Sequence, residues 1–475
     1  MGAKALPLKY AVPQIVASCI AHSVAIQAGI NLAFSAVLLP QVMIDEDNNS
    51  TVSANVTDDL AVNKDEATWI ASLVTITTPM GSLLTGPLMD QFGRRTVCAL
   101  SCLPFMLSWT ITFFTRTSVY MLYVARVLAG ASGGLCTAAI VYVSEISHPS
   151  LRPMLLSLTS VFVSFGILLT NILGNYLHWR IQALSCAVLA LITFILIFFI
   201  PETPSWLAGF HVQNDDSNSR LYLAQKSIKW LYRKAEISEI QMVEIDNIRT
   251  KINASKNEKL VEKADEALST KLTSPKTWKP LVLLFSIFAF QQFSGGYLIV
   301  FYATQIFKEV GGIELDEFTS VIILGAIRFF MAILSMFLSK NIGRRPLLIS
   351  SAAGMAVSIL SGALCIYFFG DGLSPVIFLL IFVLFSSYGV LVIPWSLIGE
   401  LLPLHIRGKG SGFTIAVAYL LMFISVKLFI IVLDLIGIIN VFIIFGSVSA
   451  ALTLFVYFRL PETLGKSFQE VEKNF

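Results

Sequence analysis

DQFGRR, residues 90–95, is answered about 250 residues later by KNIGRR, residues 340–345, and each copy stands between two long apolar runs. The duplication extends outward from that pair. Glu145 followed by Arg152 returns as Glu400 followed by Arg407, and PETPSW after Ile200 returns as PETLGK after Leu460, in the same order. Three charged signatures repeated in register across apolar sequence imply two homologous halves in a membrane.

Composition points the same way. The 475 residues are 56% hydrophobic and 13% charged, against roughly 25% charged in soluble domains, which excludes an ordinary soluble enzyme. Twelve apolar stretches reach the roughly 20 residues a membrane helix needs, six on each side of one long polar insert. The expected fold is an all-α membrane protein with twelve transmembrane helices. Residues 1–207 form the first six-helix half, 208–279 a cytoplasmic linker, and 280–475 the second half with a short tail.

The net charge of +3 suggests no nucleic-acid partner. Its distribution orients the chain. With Arg94, Arg95, Arg152, the insert, Arg344, Arg345, Arg407 and Lys466 on one face, that face is cytoplasmic and both termini lie inside. The opposite face takes Asp45, Glu46, Asp47, Asp58 and Asp59, and the same loop carries the glycosylation candidates Asn48, Asn49 and Asn55. A further sequon at Asn253 falls in the cytoplasmic insert and is expected to be silent. The first apolar run reads as a retained helix, because it is too long for a signal peptide and lacks a cleavage site.

In the insert, Leu221, Ala224, Ile228 and Leu231 recur at helical spacing, with Lys226, Lys229 and Arg233 on the other faces. Short amphipathic helices beneath both halves are one reading; a solvated tether is the other. The six cysteines sit in apolar segments without metal-ligand spacing and read as packing residues. No metal and no cofactor are expected. The five histidines are scattered, and neither a nucleophile with a base nor a paired carboxylate stands at workable spacing, so an enzyme is not indicated. No P-loop appears, which leaves ATP-driven transport unsupported.

Taken together, GPLMDQFGRR, YVARVLAG, the Glu145–Arg152 pair, PETPSW, QQFSGG, IPW and PETLGKS resemble the sugar porter branch of the major facilitator superfamily over essentially the whole chain. Trp69, QQFSG and PETLGKS are most similar to the insect trehalose and hexose facilitators. The resemblance implies a major facilitator fold and a facilitative sugar carrier, for hexose or trehalose, working by alternating access. It also implies a monomeric function in the cell membrane, with a small-molecule substrate and the lipid bilayer as partners. A carrier of another polyol or an anionic solute, possibly proton-coupled, is the alternative. A non-transporting sensor ranks lower, because such sensors usually carry a long cytoplasmic tail.

Arginine pairs in tight turns can bind carboxylates at neighbouring helix ends, and such bonds must break when a cavity opens. Asp90, Arg94, Arg95, Arg126, Glu145, Arg152 and Glu202 form the expected first gating cluster, and Arg344, Arg345, Glu400, Arg407 and Glu462 the second. Plain topological charge is the competing account. Lys340 stands where Asp90 does, and cannot accept from Arg344, so the second cluster is expected to be weaker or wired differently.

Substrate contacts are expected between the halves near the midplane. Gln291 and Gln292 are two carboxamides in an apolar run, costly without partners and suited to hydroxyl groups; helix-to-helix bonding is the alternative. Ser294, Gly295 and Gly296 could let that helix unwind. Trp395, beside Pro394, offers an aromatic face to a sugar ring, or packs against lipid or protein. The chain departs from the resemblance at several contact positions: Ser160, Tyr297, Arg328 and Ala418–Tyr419 stand where other residues are usual, as do Leu391 and Val392 before IPW. Arg328, a charge in mid-segment, suggests function by default, or a local structural role. Proton-coupled members carry an Asp where this chain has Asn31, which favours a uniporter.

Overall fold

The computed structural model describes residues 8–45, 50–51, 60–148, 151–209, 217–233, 275–311, 317–402 and 407–463. Asn48, Asn49, Asn55 and Asn253 lie outside the described residues, as does most of the insert. Apart from a two-residue antiparallel pair, Ile44–Asp45 with Ser50–Thr51, the described elements are helices.

The first half contains α1 (Leu8–His22), α2 (Val24–Val42), α3 (Lys64–Phe92), α4 (Arg94–Phe114), α5 (Val119–Leu135), α6 (Thr137–Ile146), α7 (Arg152–Tyr176) and α8 (Trp179–Ile197). Two short helices follow, α9 (Pro204–Gly209) and α10 (Ser217–Tyr232). The second half contains α11 (Pro275–Phe293), α12 (Leu298–Phe301), α13 (Ala303–Gly311), α14 (Glu317–Asn341), α15 (Arg344–Phe369), α16 (Leu373–Tyr388), α17 (Ile393–Leu401) and α18 (Arg407–Arg459).

Among the described residues, ten helical stretches are long and apolar enough to cross a membrane. One of them, Gly412–Arg459, joins two helices at Gly437, where φ is +76°. A further crossing is interrupted, running through α11, α12 and α13. With those two counted, the twelve expected crossings are accounted for.

Helix ends follow local chemistry. α3 starts with a capping box: Glu66 N donates to Asn63 Oδ1 at 2.8 Å, and Asn63 N donates to Glu66 Oε2 at 3.0 Å. Within the first half α2 packs on α7, α3 on α5 and α4 on α8; the halves meet where α3 faces α18, α7 faces α14, and α2 faces α12 and α13. On α2 and α7 the backbones nearly touch. A Cβ at Gly29 would lie 2.0 Å from Val163 O, and one at Gly166 2.2 Å from Ile26 O, the small-residue contact that membrane helices favour.

The described part of the insert packs under the first half. α10 buries Ala224, Ile228 and Leu231 and exposes Lys226, Lys229 and Arg233, and it rests on α9 and α1. Ser227 Oγ donates to Glu202 O at 2.6 Å, which ties this helix to the first charged cluster.

Candidate functional site

The two arginine turns repeat one another almost atom for atom. α3 ends at Gly93, whose φ of +94° suits glycine, and a Cβ there would lie 2.5 Å from Glu202 Oε2. The Glu202 carboxylate accepts the backbone N–H of Arg94 at 3.0 Å, of Arg95 at 3.0 and 3.1 Å, and of Thr203 at 2.9 Å. It thereby sits on the N-terminus of α4, where unpaired N–H groups and the helix dipole favour an anion. Burial nevertheless pushes the Glu202 carboxyl above its ordinary value, against the opposing pull of those N–H donors and of Arg95. Arg94 turns inward. Its Nε donates to Glu145 Oε1 at 3.0 Å and its Nη1 to Met89 O at 3.1 Å, while Asp90 stands 3.6 Å away.

In the second half Glu462 accepts the N–H of Arg344 at 2.9 Å and of Arg345 at 3.2 Å. Arg344 donates from Nε and Nη2 to Glu400 Oε1 at 3.0 and 2.9 Å, and from Nη1 to Ser339 O at 3.2 Å. One bond breaks the likeness. Thr463 Oγ1 donates to Glu400 Oε2 at 2.5 Å, whereas the matching Thr203 Oγ1 and Glu145 Oε2 are both buried without a partner among the described residues. The acid lost at Lys340 costs the second cluster little, because its counterpart Asp90 is 58% exposed and an exposed pair contributes about 0–1 kcal/mol. The second cluster is therefore wired differently from the first: it gains the Thr463 bond and has Lys340 where the first has Asp90.

Two expected members, Arg152 and Arg126, stand elsewhere. Arg152 is exposed and donates to Ser147 O at 3.2 Å. The side chains of Arg407 and Lys340 lie outside the described residues. Arg126 is buried within α5, away from the turn: its Nη1 donates to Asn31 Oδ1 at 3.1 Å, and its guanidinium lies 4.9 Å from the Phe34 ring centroid. Phe34 stacks edge-on to Trp109, whose Nε1 donates to Gln27 Oε1 at 2.8 Å.

Polar contacts between the halves gather at the end away from the arginine turns. Thr304 Oγ1 donates to Ala36 O, Asn171 Nδ2 to Val321 O at 2.8 Å, and Lys427 Nζ to Thr68 Oγ1 at 2.5 Å. Lys427 also lies 4.1 Å from the Trp69 ring centroid, and Lys64 stands 3.8 Å from Asp434. In the sequence Lys427 is visible only as a charge in an apolar run.

Between these ends, two crossings of the second half are broken side by side. α11 stops at Phe293, Gly295 takes φ +88°, and α12 begins at Leu298. α16 stops at Tyr388 and α17 begins at Ile393. The freed backbone groups are met by side chains: Ser351 Oγ accepts Val390 N–H at 2.9 Å and donates to Phe385 O at 2.7 Å, Ser335 Oγ donates to Tyr388 O at 2.8 Å, and Gln291 Nε2 donates to Val390 O at 2.6 Å. Gln291 is thus spent on the fold. Gln292 is also buried, with Nε2 3.4 Å from Gln291 Oε1 and its own Oε1 unpartnered among the described residues.

Trp395 Nε1 donates to Tyr297 Oη at 3.0 Å, and the indole packs against Phe288 and Tyr419 with centroids 5.0 and 5.5 Å away. Arg328 is 4% exposed, with Nε unpartnered among the described residues; Tyr297 is its electrostatic neighbour. Ser160 is half-buried on α7, and none of these groups is bonded to it. Gln292, Tyr297, Trp395 and Arg328 are brought to the breaks of the second half; Ser160 belongs to the first.

Two homologous halves, each with an arginine–carboxylate turn at one end, meeting over broken helices with polar groups between, define a membrane carrier. The chain matches the Sugar (and other) transporter family over residues 16–475. It belongs to that family, the sugar transporters of the major facilitator superfamily, which are carriers and not enzymes. It is 30% identical over 480 residues to the facilitated trehalose transporter Tret1 of Apis mellifera ligustica, covering 99% of this chain and 90% of the relative. To the Tret1 of Culex quinquefasciatus it is 31% identical over 450 residues, covering 93% and 82%. Among solved structures, the proton:xylose symporter XylE bound to 6-bromo-6-deoxy-D-glucose matches with a TM-score of 0.76 at 20% identity, covering 98% of this chain and 99% of that one. An inward open conformation of the xylose transporter XylE from E. coli matches at 0.73, also at 20% identity, covering 96% and 99%.

Proposed function

We propose that this sugar transporter is a facilitative carrier of a hexose or trehalose, driven by the substrate gradient and working by alternating access in the cell membrane. The pairing of Arg126 with Asn31 carries the reading. Asn31 cannot titrate, and among the described residues the spans hold Asp and Glu only toward their ends, so a carboxylate proton carrier at bilayer depth is lacking. The trehalose facilitators at about 30% identity support the substrate class.

In this reading the arginine turns face the cytoplasm with both termini, residues 1–207 and 280–475 rock as two bodies joined by 208–279, and the sequons face outside. Polar contacts at the outer end close the cavity there, while the arginine turns keep their bonds within each half. Glu145 and Glu400 hold their turns through Arg94 and Arg344, and Gln292, Tyr297 and Trp395 meet the sugar. The test is counterflow of labelled glucose and trehalose into proteoliposomes without a proton gradient. Exchange for at least one sugar is expected; exchange that appears only with an imposed proton gradient would overturn the uniport reading.

A further inference from the structure

Arg328 stands nine residues in from Thr319 and eleven from Ser339, the ends of its span. It is 4% exposed, no hydrogen bond or ion pair engages it among the described residues, and its Nε is fully enclosed. The neighbouring Tyr297 hydroxyl already accepts from Trp395. The acids nearest in sequence to the bilayer interior are Asp65, Glu66, Asp90, Glu145, Glu309, Glu400 and Asp434, and each stands toward an end of its crossing. A second buried guanidinium, Arg126, meets the neutral amide of Asn31 and keeps Nη2 unpartnered.

Among the described residues, the middle of the molecule therefore carries the two buried guanidinium groups and no carboxylate. A buried cation without a counter-ion is costly, and a carboxylate is the group a guanidinium binds best, through two parallel N–H bonds. Tyr297, the electrostatic neighbour of Arg328, links it to groups that suit a hydroxylated ring: its own bond with Trp395, the aromatic faces of Trp395 and Tyr419 and, five residues earlier in the chain, an unpartnered carboxamide oxygen on Gln292.

We propose that the cavity accepts, in addition to a neutral sugar, a sugar acid whose carboxylate docks on Arg328 while its ring hydroxyls meet Gln292 and the Tyr297–Trp395 pair. This rests on the carrier reading above. One free guanidinium matches one negative charge, so a carboxylate fits better than a phosphate dianion.

Purified protein in proteoliposomes, given labelled glucose, trehalose and D-glucuronate with and without a potassium diffusion potential, tests it. Glucuronate should enter saturably, compete with the neutral sugar, and enter faster when the lumen is positive, whereas neutral-sugar uptake should ignore the potential. Arg328→Gln should lower the ratio of glucuronate to neutral-sugar uptake about tenfold or more, the loss of a charge-assisted bond, with Arg328→Lys between the two. Should the glutamine variant not fold, competition and voltage dependence in the unaltered protein still decide. Neutral-sugar flux that glucuronate neither joins nor inhibits would overturn the sugar-acid proposal and leave the carrier reading standing. Flux of neither would overturn both, and inhibition by glucose 6-phosphate alone would overturn the assignment to a carboxylate.

Discussion

Thr203 and Thr463 follow the glutamates of the two PET signatures, yet only Thr463 has work for its hydroxyl. It donates to Glu400, while the Thr203 hydroxyl and Glu145 Oε2 each lack a partner among the described residues. Thr463→Val should cost about 1–3 kcal/mol by orphaning a carboxylate oxygen, and Thr203→Val should be nearly neutral, since it removes a hydroxyl that bonds to no partner. Melting temperatures of the two variants in detergent check this; equal losses would show that the two turns are wired alike. Glu202 supplies a pH test. Burial raises its folded carboxyl above the ordinary value of 4.5, so between those two values the folded chain holds a proton that the unfolded chain has lost. Its contribution to stability is then fully present below 4.5 and is lost as pH rises through the raised value. The melting temperature of the unaltered protein relative to Glu202→Gln should accordingly fall as pH climbs above 4.5, and a flat difference would show that the carboxyl titrates normally.

The broken crossings show what sequence can and cannot convey about an element. The glycines of QQFSGG announced an interruption, and Gly295 at φ +88° delivers it. The break before IPW has no glycine or proline at Leu391 and Val392 to announce it. It forms regardless, since Ser351, Ser335 and Gln291 reach across from three other helices to its open backbone groups, and no local pattern at the break encodes partners 39, 53 and 99 positions away. The same distance hides the division of labour in the Gln pair. Both carboxamides look alike in the sequence, but Gln291 is held by Val390 O while Gln292 keeps an unpartnered oxygen. Gln291→Ala should therefore lower thermal stability by about 1–3 kcal/mol as well as transport, whereas Gln292→Ala should raise the KM for sugar with little change in melting temperature. A Gln291 variant with full stability would return that residue to the binding set.

At the scale of the whole molecule, the two-half architecture and its crossings were legible, because apolar runs and repeated charges are properties of the chain itself. The closure was not: Lys427, Thr68 and Trp69 meet only once the halves are assembled. That meeting sets an equilibrium. A rocking carrier distributes itself between two closures according to their difference in free energy, and contacts present in one state alone set the difference. A cation over an indole contributes about 0.5–2 kcal/mol, and Lys427 adds a hydrogen bond to Thr68, on helices α18 and α3 that must part when the outer end opens. Removing roughly 1 kcal/mol changes the population ratio about fivefold. Lys427→Met keeps the apolar stem and deletes the charge, so it should move the carrier toward the outward-facing state by that factor. Spin labels near Asn63 and Leu435, at the outer ends of α3 and α18, would report it as growth of a longer-distance population in pulsed EPR. With the proposed substrate site between the closures, the shift should also raise the apparent affinity for sugar added from outside, by enlarging the fraction of carriers that present the site there. An unchanged distance distribution in Lys427→Met would mean that α2 against α13, through Thr304 and Ala36, carries the outer closure without it.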